Sequence, residues 1–139
     1  MKRTYLNSIL SPAPIYLNQA LAFIRVFVGG LLAFHGVEVF NPTLMQEYAQ
    51  WEAFAGSQAL TMVYLGKSAE LVSGILLLLG LLTRVGALIA IGALSYITFF
   101  VGSGRFWYED QHPFMFVLFG ILFLFTGPGA WSLDKRIFK

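Results

Sequence analysis

Apolar residues in this chain fall into four stretches, and the polar residues gather between them in short clusters instead of alternating with them. About 20 residues of α-helix cross a hydrocarbon core, so the length and continuity of the stretches predict membrane-crossing helices over residues 18–40, 59–82, 85–101 and 113–128. Asn41–Pro42 closes the first, because the residue before proline is driven out of helical geometry. Thr83–Arg84 is so short a link that the second and third helices must be antiparallel neighbours. Gly102–Ser103–Gly104 closes the third, and Gly127–Pro128–Gly129 ends the shorter fourth. Barrel strands would alternate apolar and polar positions over shorter runs. The expected fold class is therefore an all-α integral membrane protein, a four-transmembrane-helix bundle, with residues 1–139 forming a single domain.

The polar clusters carry orientation. Residues 1–19 are polar and aromatic and broken by Pro12 and Pro14, unlike a cleavable signal peptide. Lys2, Arg3, Arg84, Lys135, Arg136 and Lys139 fall at one end of the expected bundle and Arg105 at the other, which puts both termini in the cytoplasm. Glu47, Glu52, Glu109 and Asp110 then lie outside, with Trp51, Trp107 and Tyr108 at the outer interface and Tyr16 and Trp131 at the inner one.

Composition narrows the chemistry. With 58% hydrophobic and 12% charged residues, the bilayer is the expected partner. The net charge of +2 comes from scattered basic residues without a patch, which argues against nucleic acid. The absence of cysteine excludes disulfides, thiolate-held iron–sulfur clusters and dithiol exchange by this chain. No phosphate loop, zinc motif or hydrolase triad is present.

Ionisable residues inside the apolar stretches stand out, since a charge at the bilayer centre costs about 2.5–3.5 kcal/mol on insertion scales. They are Arg25 and Glu38 in the first stretch and Lys67 and Glu70 in the second, with His35 beside Glu38. A rise of about 1.5 Å per residue brings Arg25 within side-chain reach of Glu70 and Lys67 beside Glu38. Gly29 and Gly36 share a stripe with Arg25, and Gly66, Ser73 and Gly74 share one with Glu70, as expected of a packed seam. Two readings stay open: buried ion pairs that fix helix register, or a polar cavity between the first two helices for proton handling or ligand binding. His35 and His112, both near outer helix ends, make too sparse a set for a metal or haem, and neither a metal nor an intrinsic cofactor is expected.

The order of Arg25, Phe34–His35–Gly36, Glu70–Leu71–Val72–Ser73–Gly74, Leu82–Thr83–Arg84 and the closing GPGAWSLD from Gly127 to Asp134 resembles the DoxX-like family of small four-helix membrane proteins. The resemblance implies a bacterial inner-membrane protein and a redox-associated subunit of a membrane oxidoreductase complex. Quinone is the implied ligand, and other membrane or membrane-associated subunits are the implied partners. The matching positions are Arg25, His35, Gly36, Glu70, Arg84, Gly127, Pro128, Gly129, Ser132 and Asp134. Glu38 departs from the family, which often has lysine there, and Lys67 is the residue placed to restore the positive charge. On this reading Arg25 and Glu70 orient a quinone head group and His35 exchanges protons. The alternative is a non-enzymatic structural or accessory subunit of a larger membrane complex.

Overall fold

The computed structural model describes residues 10–138, so Lys2, Arg3 and Lys139 lie outside the described residues. Among those residues every regular element is helical. Helix α1 spans Leu17–Gly36 and tightens into a 3-10 turn over Val37–Phe40. A short helix that the sequence reading did not anticipate, α2, spans Pro42–Tyr48. Pro42 occupies its first turn, and the Asn41 side chain accepts a hydrogen bond from the Leu44 N–H at 3.2 Å. Helix α3 spans Ala59–Leu79 and α4 spans Thr83–Tyr96, which widens into a π-helical turn over Ile97–Val101. Helix α5 covers Gln111–Thr126 and the single-turn α6 covers Asp134–Ile137.

The helix ends differ from the expected boundaries for local reasons. Helix α3 stops at Leu79, not at residue 82, because Gly80 adopts φ 63° and lets the Leu81 N–H reach back to the Leu76 carbonyl. Helix α4 begins two residues early, at Thr83, because a carboxylate from the C-terminal segment receives its first free N–H groups. Helix α5 ends at Thr126, where Gly127 turns to φ 77°, ψ −165°, a conformation open to glycine alone.

Leu17–Phe40, Ala59–Leu79 and Thr83–Val101 are long and apolar enough to cross a membrane, and α5 is a shorter apolar helix of 16 residues. Consecutive long helices pack side by side, and α5 closes back on α1. Leu21, Leu32, Leu77, Ala90, Val117 and Phe123 belong to one continuous core between them. Phe23, Phe27, Phe34, Leu65 and Phe125 point outward, each more than half exposed, the surface expected of a protein whose solvent is lipid.

The α1–α3 contact is the closest. A methyl group at Gly29 would collide with the backbone at Leu78, one at Gly36 with that at Leu71, and one at Gly74 with that at Ala33. Small residues allow such backbone approach, which replaces the hydrophobic drive that is missing between helices in lipid. Gly74→Val is expected to force α1 from α3 and destabilise the protein by about 1–3 kcal/mol. Thermal unfolding in detergent checks this, and an unchanged midpoint would mean that the seam is not under steric control.

Candidate functional site

The structure sorts the sequence-identified residues into two groups at opposite ends of the bundle. At the end where α1 begins and α3 gives way to α4, Arg25 is fully buried. A guanidinium has five N–H donors in a rigid plane, and each finds a backbone carbonyl. Nε donates to Pro128 at 2.8 Å, Nη1 to Leu77 and to Leu78 at 3.1 Å, and Nη2 to Trp131 at 3.1 Å and Ala130 at 3.4 Å. Leu77 and Leu78 lie in the last turn of α3, whose carbonyls lack intrahelical partners and carry the negative end of the helix dipole.

The loop that supplies the other three carbonyls is shaped for this task. Gly127, Gly129 and Trp131 all have positive φ, at 77°, 72° and 50°. Gly129 lies so close to α1 that a side chain there would strike the Asn18 carbonyl, and the Ala130 N–H donates to that same carbonyl at 2.8 Å. Farther along, the Asp134 carboxylate accepts from the Leu82 N–H at 2.6 Å and the Thr83 N–H at 2.9 Å, capping α4 from a distant part of the chain. Ser132 is buried and accepts from the Lys135 N–H at 3.3 Å, while Arg84 Nε donates to the Leu124 carbonyl in the last turn of α5 at 3.2 Å. Arg25, Arg84, Ser132 and Asp134 thus all serve backbone groups at or near helix ends.

The expected contact between Arg25 and Glu70 is not formed. Counting depth along two isolated helices ignored the loop at residues 127–131, which folds across the bundle end and captures the guanidinium first.

Glu70 instead belongs to the second group, at the end bearing α2. Lys67 Nζ lies 2.8 Å from Glu38 and 3.0 Å from Glu70, so the Glu38–Lys67 contact read from helical depth is present and Glu70 joins it. The ammonium stands 5.4 Å from the centre of the Tyr48 ring, and the Tyr48 hydroxyl donates to Glu38 at 3.1 Å. Burial, and then the neighbouring Glu38 carboxylate, push the Tyr48 phenol above its ordinary pKa, so it remains a donor at neutral pH. His35 and His112 meet at this end with ring centres 5.5 Å apart, joining α1 to α5.

A cavity of about 470 Å³ adjoins this cluster. Along the α1–α3 seam the backbones touch, and the cavity lies between α3 and α4, not between the first two helices as the sequence suggested. Lys67 and Glu70 form one polar corner. Tyr48, Trp51 and Phe54, from the segment between α1 and α3, line one side of it, and Tyr96, Ile97 and Val101 line its α4 side. The π-helical turn at 97–101 therefore forms part of the wall, a placement common for such turns. Sequence reasoning missed Tyr48 and Tyr96 as wall residues. Arg25, with every donor engaged, has no hydrogen bond left for a ligand head group.

Residues 20–103 match the DoxX family model, more than half of the chain. A protein of Haemophilus influenzae described as uncharacterized is 29% identical over 131 residues, covering 89% of this chain and 95% of its own length. No solved structure matches.

Replacing Arg25 tests the architecture of the first end. Arg25→Ala removes the side-chain donor from five carbonyls, of which Leu77 keeps the Gly80 N–H at 3.1 Å, and is expected to cost about 3–5 kcal/mol, seen as a lowered melting midpoint in detergent. Arg25→Lys retains charge but lacks the planar fork, and its melting midpoint should fall between those of Arg25→Ala and the unaltered protein.

Proposed function

The chain belongs to the DoxX family, and on that premise we propose that it is a redox-associated subunit of a bacterial inner-membrane oxidoreductase complex, with a quinone site in the cavity between α3 and α4. The observation that carries this reading is the cavity itself. Its volume falls within the roughly 300–1,000 Å³ typical of small-molecule sites, and its wall is apolar and aromatic apart from the Lys67–Glu70 corner. A quinone requires that combination: a slot for a flat ring and apolar substituents, with a hydrogen-bond donor for a carbonyl oxygen.

Lys67 has three N–H donors, of which Glu38 and Glu70 engage two, leaving one for a ligand carbonyl. Quinone reduction takes up two electrons and two protons, converting both carbonyls to hydroxyls. A partner subunit supplies the electrons, and the proposed proton route starts at Glu70 in the cavity corner, linked through Lys67 to Glu38, with His35 and His112 beyond. Four membrane crossings with both termini in the cytoplasm complete the proposal. At about 1.5 Å per residue, α5 is near 24 Å long and crosses with help from its flanks. Arg84, Lys135 and Arg136 share the Arg25 end of the bundle, which the positive-inside bias assigns to the cytoplasm.

The alternative, a non-enzymatic structural or accessory subunit, draws support from the Arg25 end, where the family-type positions hold backbone ends together. Filling the cavity separates the two. Ala93 lines it and bears no charge, so Ala93→Phe should leave assembly and melting intact while quinone no longer co-purifies from native membranes and quinone-dependent turnover of the complex is lost. Undiminished turnover would favour the structural reading. Orientation has its own test, because a chain without cysteine accepts single labels cleanly. A cysteine replacing Lys135 should react with an impermeant maleimide only in inverted vesicles, and one replacing Glu109 only in intact spheroplasts.

A further inference from the structure

Gly66 and Gly92 sit inside helices with open space among the described residues where a side chain would go. Gly29, Gly36 and Gly74 are held by close backbone approach, and Gly80 and Gly127 by positive φ. A Cβ at Gly66 on α3 or Gly92 on α4 would meet no atom within 4 Å, and neither has a positive φ. Glycine within a helix is less stable than alanine, so the missing side chain at Gly66 weakens α3 without relieving any internal clash. Gly66 lines the cavity, and the space that its side chain would fill belongs to the site.

The cavity wall is open on one side. Leu65 and Tyr96 belong to its lining yet are 65% and 38% exposed. Leu65 lies six residues inside α3, roughly 9 Å from its start, and the α4 lining runs from Val101 to Ile89, roughly 18 Å along the helix. At that depth the surroundings of a crossing helix are hydrocarbon. Beyond the opening, exposed Val72 and Leu79 continue the Leu65 face at seven-residue spacing toward the opposite end.

We propose that the site takes a membrane-resident amphiphile with a long apolar tail, which enters sideways from the bilayer between α3 and α4. Its polar head rests at Lys67 and Glu70, and its tail passes over Gly66 and leaves between Leu65 and Ile89 into the lipid. This rests on the reading of the cavity as a quinone site and narrows the ligand to long-tailed quinones.

The full chain in lipid nanodiscs is titrated with decyl-substituted benzoquinone and with tail-less benzoquinone, each expressed per mole of lipid so that partitioning into the bilayer cancels. Trp51 lines the cavity and reports binding by fluorescence quenching, with Trp51→Phe as the background. The decyl quinone is expected to bind at least about tenfold more tightly. Gly66→Leu should weaken it by a similar factor with the melting midpoint unchanged, and the smaller Gly66→Ala should weaken it less while raising the midpoint. Equal binding of the two quinones overturns sideways entry and leaves the quinone site standing, as does a Gly66→Ala protein that binds like the unaltered one. Absence of Trp51-dependent quenching by either compound overturns the quinone site and this inference with it.

Discussion

Everything at one end of the bundle depends on satisfying a single guanidinium away from water. Arg25 is buried in a helix that crosses lipid, and no described carboxylate touches it. Its charge is met instead by the carbonyls that end α3 and by those of a loop from the far end of the chain. Carbonyls at a helix C-terminus need donors, and a guanidinium needs acceptors, so each requirement answers the other. The arrangement also fixes the geometry around it. Gly80 must lack a side chain because the guanidinium and Ser132 occupy that space, and the loop must turn three times through positive φ to aim its carbonyls inward.

The two ends of the bundle consequently differ in kind. At the Arg25 end, polar side chains serve the backbone: Arg84 at the close of α5, Asp134 at the opening of α4, and Arg25 at the close of α3. At the other end, Asn41 and Asp110 also accept backbone N–H groups, but the ionisable residues of the first two long helices serve one another, in the Glu38–Lys67–Glu70 cluster with Tyr48, and His35 meets His112. The second end adjoins the cavity of about 470 Å³, and its wall is built from residues outside the family-type positions apart from Glu70.

Much of the fold was legible because lipid imposes a simple rule. A helix that must satisfy its own backbone shows itself as an unbroken apolar run, and α1, α3 and α4 were located to within a few residues. The Glu38–Lys67 contact was legible too, since both residues lie on regular helices whose rise sets their depth. Arg25 was misassigned because its partners are backbone atoms in a loop 103 to 106 residues away, and carbonyls leave no trace in residue identity. The cavity was placed between the wrong helices because glycines in a row look alike in sequence. Gly74 is a point of contact and Gly66 a point of vacancy, and only the neighbouring helix distinguishes them.

The distance along the chain between Arg25 and its last acceptors also sets an order of events during synthesis. At roughly 5–20 residues per second, about 5–20 s separate the emergence of α1 from that of Pro128, and the Leu77 and Leu78 carbonyls arrive about midway. During that interval the first helix carries a cation whose final acceptors do not yet exist. The end of the bundle around Arg25 is therefore complete only once the segment from Pro128 to Trp131 has been made.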